Sequence, residues 1–180
     1  MPQVAIFMGS LSDEEKVKPC AAVLDSLEIS YMFTISSAHR TPERTEKLVD
    51  TLERQGCQVF ICAAGMAAHL AGAVAARTIR PVIGIPIAAS SLNGMDSLLA
   101  TVMMPPGFPV ATVALDTAGA RNAAWLAAQI LALHDPVIAA KLQAARQGFK
   151  DDVEKAARKL AGPSVAAHAD VLASDMAKPK

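Results

Sequence analysis

Short apolar runs alternate with amphipathic segments through the first half of the chain. Val4–Met8 is a continuous apolar run of strand length. Val17, Ala21, Leu24 and Leu27 then recur at helical spacing. Ser12, with Glu15 three residues on, has the pattern of a capping box, which predicts a helix starting there. Tyr31–Ile35 predicts a second strand. Thr41 and Pro42 read as an N-cap followed by a first-turn proline, opening a helix that runs to about Gln55 and ends at Gly56. Residues 59–63 predict a third strand, followed by a small-residue helix over about 67–78. Residues 82–85, bracketed by Pro81 and Pro86, predict a fourth strand. Farther on, the pattern predicts a short helix over 95–103, a strand over 110–113, and helices over 120–133 and 136–160.

The strands are continuously apolar rather than alternating. Such strands are buried on both faces, so the fold class is α/β, a parallel sheet with helices on each side. Residues 1–160 read as a single α/β domain including the C-terminal helices. Residues 161–180, rich in Gly, Pro, Ser and Ala, show no stripe and read as a tail.

Composition sharpens this picture. Hydrophobic residues make up 52% of the 180 and charged residues 19%, which excludes a disordered chain. Lys and Arg number 17 and Asp and Glu number 17, so the basic excess of a nucleic-acid binder is missing. Alanine occurs 36 times, and the low charge predicts a large apolar surface buried between subunits. No apolar stretch reaches the length of a membrane span. The first residues carry no basic signal-peptide region. Cys20, Cys57 and Cys62 form neither a disulfide framework nor a zinc motif. Together these features predict a cytoplasmic protein.

Ligands of an open parallel sheet bind beyond the carboxyl ends of its strands. Three loops there carry unusual residues. The first offers Gly9, Ser10, Ser12 and Asp13 at a helix start, where free N–H groups favour an anion and the carboxylate suits a ribose hydroxyl. Ser12 can equally serve only as a cap. The second holds Ser37, Ala38, His39 and Arg40. Arg40 can bind phosphate through its fork of donors, and His39 can give and take protons near neutral pH. The same two residues can equally be a surface pair. The third holds Gly65, Ala67, His69 and Leu70, where small residues let a ligand approach the backbone. His69 can equally be a satisfied histidine at a helix start. His134 and His168 read as structural or solvated. There is no HExxH, no Walker lysine, no GxGxxG and no GxSxG. The available chemistry is histidine acid–base catalysis with hydroxyls, arginine and amides holding an anion.

Three segments occur in order, each after a strand: MGSLSD at 8–13, SAHRTP at 37–42 and AAHL at 67–70. Downstream lie PVIGIP at 81–86, GMDSL at 94–98, MPPGFPV at 104–110 and NAAWLAAQIL at 122–131. Over about residues 3–150 the chain resembles the N5-carboxyaminoimidazole ribonucleotide mutase family of purine biosynthesis. The resemblance implies a three-layer α/β/α sandwich of flavodoxin-like type and a homo-octamer. It implies conversion of N5-carboxyaminoimidazole ribonucleotide to 4-carboxy-5-aminoimidazole ribonucleotide, without ATP, metal or organic cofactor. Carried over, the phosphate and ribose contacts fall on Ser10, Ser12, Asp13, Ser37 and Arg40. The acid–base histidine falls on His39, and His69 matches a second active-site histidine.

Two departures stand out. The family pattern GGAAHLPG here reads GMAAHLAG, with Met66 beside the expected carbon dioxide pocket and Ala71 in place of a proline. The tail beyond about residue 150 is also longer. Two other readings stay open. One is the related carboxylase subfamily, which adds carbon dioxide directly but usually shows Ser-Ala-His-Lys and lacks the His69 counterpart. The other is a non-catalytic nucleotide-binding module.

Overall fold

The structure, a computed structural model, describes residues 1–160; the expectation of a tail over 161–180 lies outside the described residues. Met1–Ala139 forms one compact unit. A second unit begins at Ala140, and its described part is helical.

Five parallel strands build the sheet of the first unit: β1 (Val4–Met8), β2 (Tyr31–Ile35), β3 (Val59–Gly65), β4 (Val82–Ile87) and β5 (Ala111–Thr112). Their order is β2-β1-β3-β4-β5. This is the doubly wound, flavodoxin-like arrangement. The helices are α1 (Glu14–Ser26), α2 (Pro42–Arg54), α3 (Leu70–Ala75), α4 (Met95–Val102), α5 (Asp116–Ala132) and α6 (Pro136–Leu160).

The central strands β1, β3 and β4 are buried on both faces, as their pattern predicts, whereas the edge strands β2 and β5 stay partly exposed because each has a neighbour on one side only. Val4, Ala5, Ile6 and Phe7 expose no surface. Alternate residues point to opposite faces. Ala5, Phe7, Phe60 and Cys62 pack with Val49 and Leu52 of α2 and with Leu70 and Val74 of α3. On the other face α1 and α5 pack together. The alanine content has its use here. Ala120, Ala123, Ala124, Ala127 and Ala128 of α5 are all buried, and side chains this small let the helix lie close. Gly119 sits so tightly that an added Cβ would overlap the Ala114 carbonyl and meet Ile85 at 3.3 Å.

Several boundaries differ from the sequence reading. The capping box at Ser12 does not form. Ser10 instead caps a short 3-10 turn, Leu11–Asp13, by accepting from the Ser12 N–H, and α1 starts at Glu14. The third helix is confined to Leu70–Ala75, because Met66 and Ala68 adopt left-handed backbone angles, φ 55° and 37°. β4 runs through Pro86 to Ile87. Its neighbour β5 pairs only with Ile83 and Gly84, so at Pro86 one side of β4 faces no strand and the missing N–H costs no ladder bond there. α2 opens at Pro42, and Gly56 ends its turn at φ 91°, both as predicted. α6 occupies the predicted range.

The chain moves from β1 outward to β2, then crosses back to β3 on the far side of β1. The loops leaving these strands therefore splay apart at one sheet end, which is where a crevice forms in doubly wound folds.

Candidate active site

The first loop is held by its own hydroxyls. Ser12 Oγ donates to Asp13 Oδ1 at 3.2 Å and lies in hydrogen-bond contact with Ser10 Oγ at 2.9 Å. Asp13 is only 7% exposed. Burial raises its carboxyl pKa, the Ser12 hydrogen bond and the Lys16 charge lower it, and the Asp116 charge raises it. The Gly9 N–H donates to the Ala63 carbonyl at 3.0 Å, tying this loop to the end of β3.

The second loop is a closed turn. The Ser37 N–H donates to Thr41 Oγ1 at 3.1 Å, and Thr41 Oγ1 donates back to the Ser37 carbonyl at 3.2 Å. The Arg40 N–H donates to Ser37 Oγ at 3.2 Å, which leaves the Ser37 hydroxyl proton free for a ligand. Below the turn, the buried hydroxyls of Ser36 and Thr45 bond at 2.7 Å and anchor it to α2. The Arg40 guanidinium is exposed and makes no ion pair among the described residues.

The third loop turns at Gly65, whose carbonyl accepts from the Ala68 N–H at 3.0 Å. An added Cβ on Gly65 would stand 2.7 Å from the Ala89 Cβ and 3.1 Å from the Ile87 carbonyl oxygen. Glycine is required there by close approach. The turn carries His69 to the start of α3, where its ring meets that of His39. The two nitrogens, His39 Nε2 and His69 Nδ1, lie 2.7 Å apart, with the rings at 72°. One nitrogen must carry the proton and the other accept it.

All three loops line one cavity of about 480 Å³. Every residue singled out from the sequence is there: Ser10, Ser12, Asp13, Ser37, Ala38, His39, Arg40, Gly65, Ala67, His69 and Leu70. Gly9, Ala64, Met66, Ala68 and Ala89 complete the wall. Ala89 was not legible as a site residue, since nothing in an alanine after an apolar strand marks it. His39 and His69 also border a second, more apolar cavity of about 420 Å³, with Ala38, Gly72, Ala73, Ala100 and Met104. A larger cavity, about 600 Å³, lies at the opposite end of the sheet, where β4 and β5 begin. Its arginines are already engaged, Arg77 with Asp50 at 2.6 Å and Arg80 with Glu53 at 3.5 Å. The cavity with unpaired donors and a histidine pair is the better candidate.

Comparison with known proteins gives the family and the fold. The profile of the family described as AIR carboxylase matches residues 3–152. The chain belongs to that family. It is 51% identical over 150 residues to N5-carboxyaminoimidazole ribonucleotide mutase of Pyrococcus abyssi, covering 83% of this chain and 85% of that one. It is 48% identical over 152 residues to the Bacillus subtilis protein of the same name, covering 84% and 94%. The crystal structure of Treponema denticola PurE superposes with a TM-score of 0.82 at 29% identity, covering 90% of this chain and all of that one. The resemblance carried by the loop motifs and the flavodoxin-like fold are both borne out.

Proposed function

We propose that this AIR carboxylase family member is an N5-carboxyaminoimidazole ribonucleotide mutase, an isomerase of purine biosynthesis. The observation that carries the reading is the His39–His69 contact at 2.7 Å inside a cavity walled by hydroxyls, a carboxylate and a free guanidinium. The relatives at 48–51% identity bear that name.

Each loop has a part. Ser10, Ser12, Ser37 and Arg40 bind the phosphate, Arg40 with the strongest bonds because both partners are charged. Asp13 accepts from a ribose hydroxyl. Small residues at Gly65, Ala67 and Ala68 leave room for the ring and for carbon dioxide. His39 protonates N5 as the bond from N5 to the carboxyl carbon breaks, the electron pair returning to nitrogen. The enamine carbon C4 then attacks the trapped carbon dioxide. The C4 proton leaves to the same histidine, which restores the aromatic ring. His69 holds the His39 nitrogen in line and shares its proton. Protons and electrons balance, so the reaction needs no oxidant, reductant or second substrate.

The proposed assembly is a homo-octamer, as the family resemblance implies. Leu92, Met95, Leu99, Val102 and Met103, on and beside α4, are 47–77% exposed, as expected of an apolar surface meant to be covered. Light scattering tests this, and a monomer at micromolar concentration overturns it. The proposed compartment is the cytoplasm, where Cys20, Cys57 and Cys62 would stay the unpaired thiols they are. No helix among the described residues is long and apolar enough to cross a membrane.

A paired ultraviolet assay without ATP tests the activity. One cuvette holds N5-carboxyaminoimidazole ribonucleotide, the other aminoimidazole ribonucleotide with moderate bicarbonate. Rapid product only in the first supports the mutase. Rapid product in the second makes the protein a direct carboxylase, and silence in both makes it a binding module.

A further inference from the structure

Behind the cavity lies a charged contact that joins three distant pieces of chain. Lys16 Nζ, on α1, donates to the Ala88 carbonyl at 2.7 Å. The Ala88 N–H donates to Asp116 Oδ1 at 2.9 Å. Lys16 Nζ and Asp116 Oδ1 pair at 3.1 Å. Both polar groups of one peptide residue are thus held by two oppositely charged side chains, which are themselves paired. Ala88 is the first residue beyond β4, and its neighbour Ala89 lines the ribonucleotide cavity.

We propose that Lys16 and Asp116 are a positioning pair that clamps Ala88 and so fixes the wall behind Gly65 and the third loop. The inference deepens the mutase reading and rests on it where ribonucleotide binding and turnover are measured.

Three observations separate this from ordinary surface pairing. First, Asp116 stands at φ 52°, the left-handed region where glycine is the easy residue. Stability alone favours glycine there, whereas the aspartate supplies the carboxylate that Ala88 and Lys16 use. Second, the clamped strip has no slack toward the site. Ala89 and the Ile87 carbonyl already abut Gly65 so closely that no Cβ fits between them. A shift at Ala88 must therefore move Gly65, and with it the turn that carries Met66 and His69. Third, Lys16 lies one helical turn after Asp13, and both charges of the pair act on the Asp13 carboxyl, with opposite sign.

The test uses the full chain with Lys16→Met, Asp116→Gly and Asp116→Asn. Three readouts are taken: amide hydrogen exchange at Ala88, calorimetric binding of aminoimidazole ribonucleotide, and KM against kcat with N5-carboxyaminoimidazole ribonucleotide. Lys16→Met and Asp116→Gly are each expected to speed Ala88 exchange by about tenfold or more as the peptide opens locally. They are expected to weaken binding and raise KM by about fivefold or more, with kcat changed less, because the site is loosened rather than stripped of a reacting group. Asp116→Asn keeps the acceptor oxygen and is expected to stay within about twofold of the parent. Asp116→Gly relieves the backbone penalty as it removes the clamp's bonds, so its melting temperature is expected to change little while its affinity falls. A purely structural pair would not separate the two. Unchanged Ala88 exchange, or binding within about twofold in both clamp variants, overturns the proposal. If the parent chain shows no turnover, the mutase reading fails, yet the exchange readout, which needs no ligand, still decides the clamp.

Discussion

His39 Nε2 and His69 Nδ1 face each other at 2.7 Å with their rings nearly perpendicular, although 30 residues separate them in the chain. A pair in this geometry shares one proton between two nitrogens, and the mutase chemistry asks for one proton given and one taken. His39→Asn is therefore expected to lower turnover by about 10²- to 10⁴-fold. Binding of aminoimidazole ribonucleotide should stay within about tenfold, because little binding energy is removed. Full activity in single-turnover kinetics would take His39 out of the mechanism.

Arg40 has its guanidinium exposed at the cavity rim, with its backbone N–H fixed by Ser37. Arg40→Ala is expected to weaken substrate binding by about 1.5–3 kcal/mol, the usual worth of a charge-assisted bond. The loss should appear in KM. An unchanged KM places the phosphate elsewhere.

Gly65 and Met66 are adjacent but should respond in opposite directions. At Gly65 an added Cβ meets Ala89 at 2.7 Å, so Gly65→Ala is expected to cost about 1–3 kcal/mol in overpacking. Met66 is held at φ 55°, which costs a residue with a Cβ about 1 kcal/mol or more. Met66→Gly is therefore expected to raise stability by about 1 kcal/mol. Urea midpoints of the two variants check both signs, and a stabilised Gly65→Ala would refute the close approach.

Asp13 is buried, and burial is the largest cause of its raised pKa. A carboxyl raised on folding contributes most to stability below its unfolded value of about 3.9, and that contribution is lost as pH climbs through the folded value. Above that folded value the folded state carries an ionised group it disfavours. Asp13→Asn keeps an oxygen for the Ser12 hydroxyl and removes the charge. It is expected to raise the melting temperature at pH 7, with the gain fading as pH falls below about 3.9, where the parent carboxyl becomes protonated in both states. The KM for the ribonucleotide should rise. A melting temperature lowered at pH 7 and unchanged in acid would contradict this.

The sequence by itself determined what is periodic or local. Val4–Met8 read as a buried strand, Pro42 opened a helix, Gly56 closed one, and the three loop segments named the family. These signals lie within a few residues, where the spacing of side chains reflects the geometry of a single element. The tertiary structure decided what depends on neighbours brought from elsewhere. One local rival also went unread: Ser10, two residues before Ser12, accepts the Ser12 N–H in a 3-10 turn where the capping box was expected. The third helix began late because the chain turns through left-handed angles at Met66 and Ala68, just after Gly65 passes close against Ala89. Lys16, Ala88 and Asp116 meet only because α1 and α5 pack side by side on one face of the sheet, at the end of β4. Strand order sets which distant residues become neighbours, and a pattern of apolar positions carries no record of it.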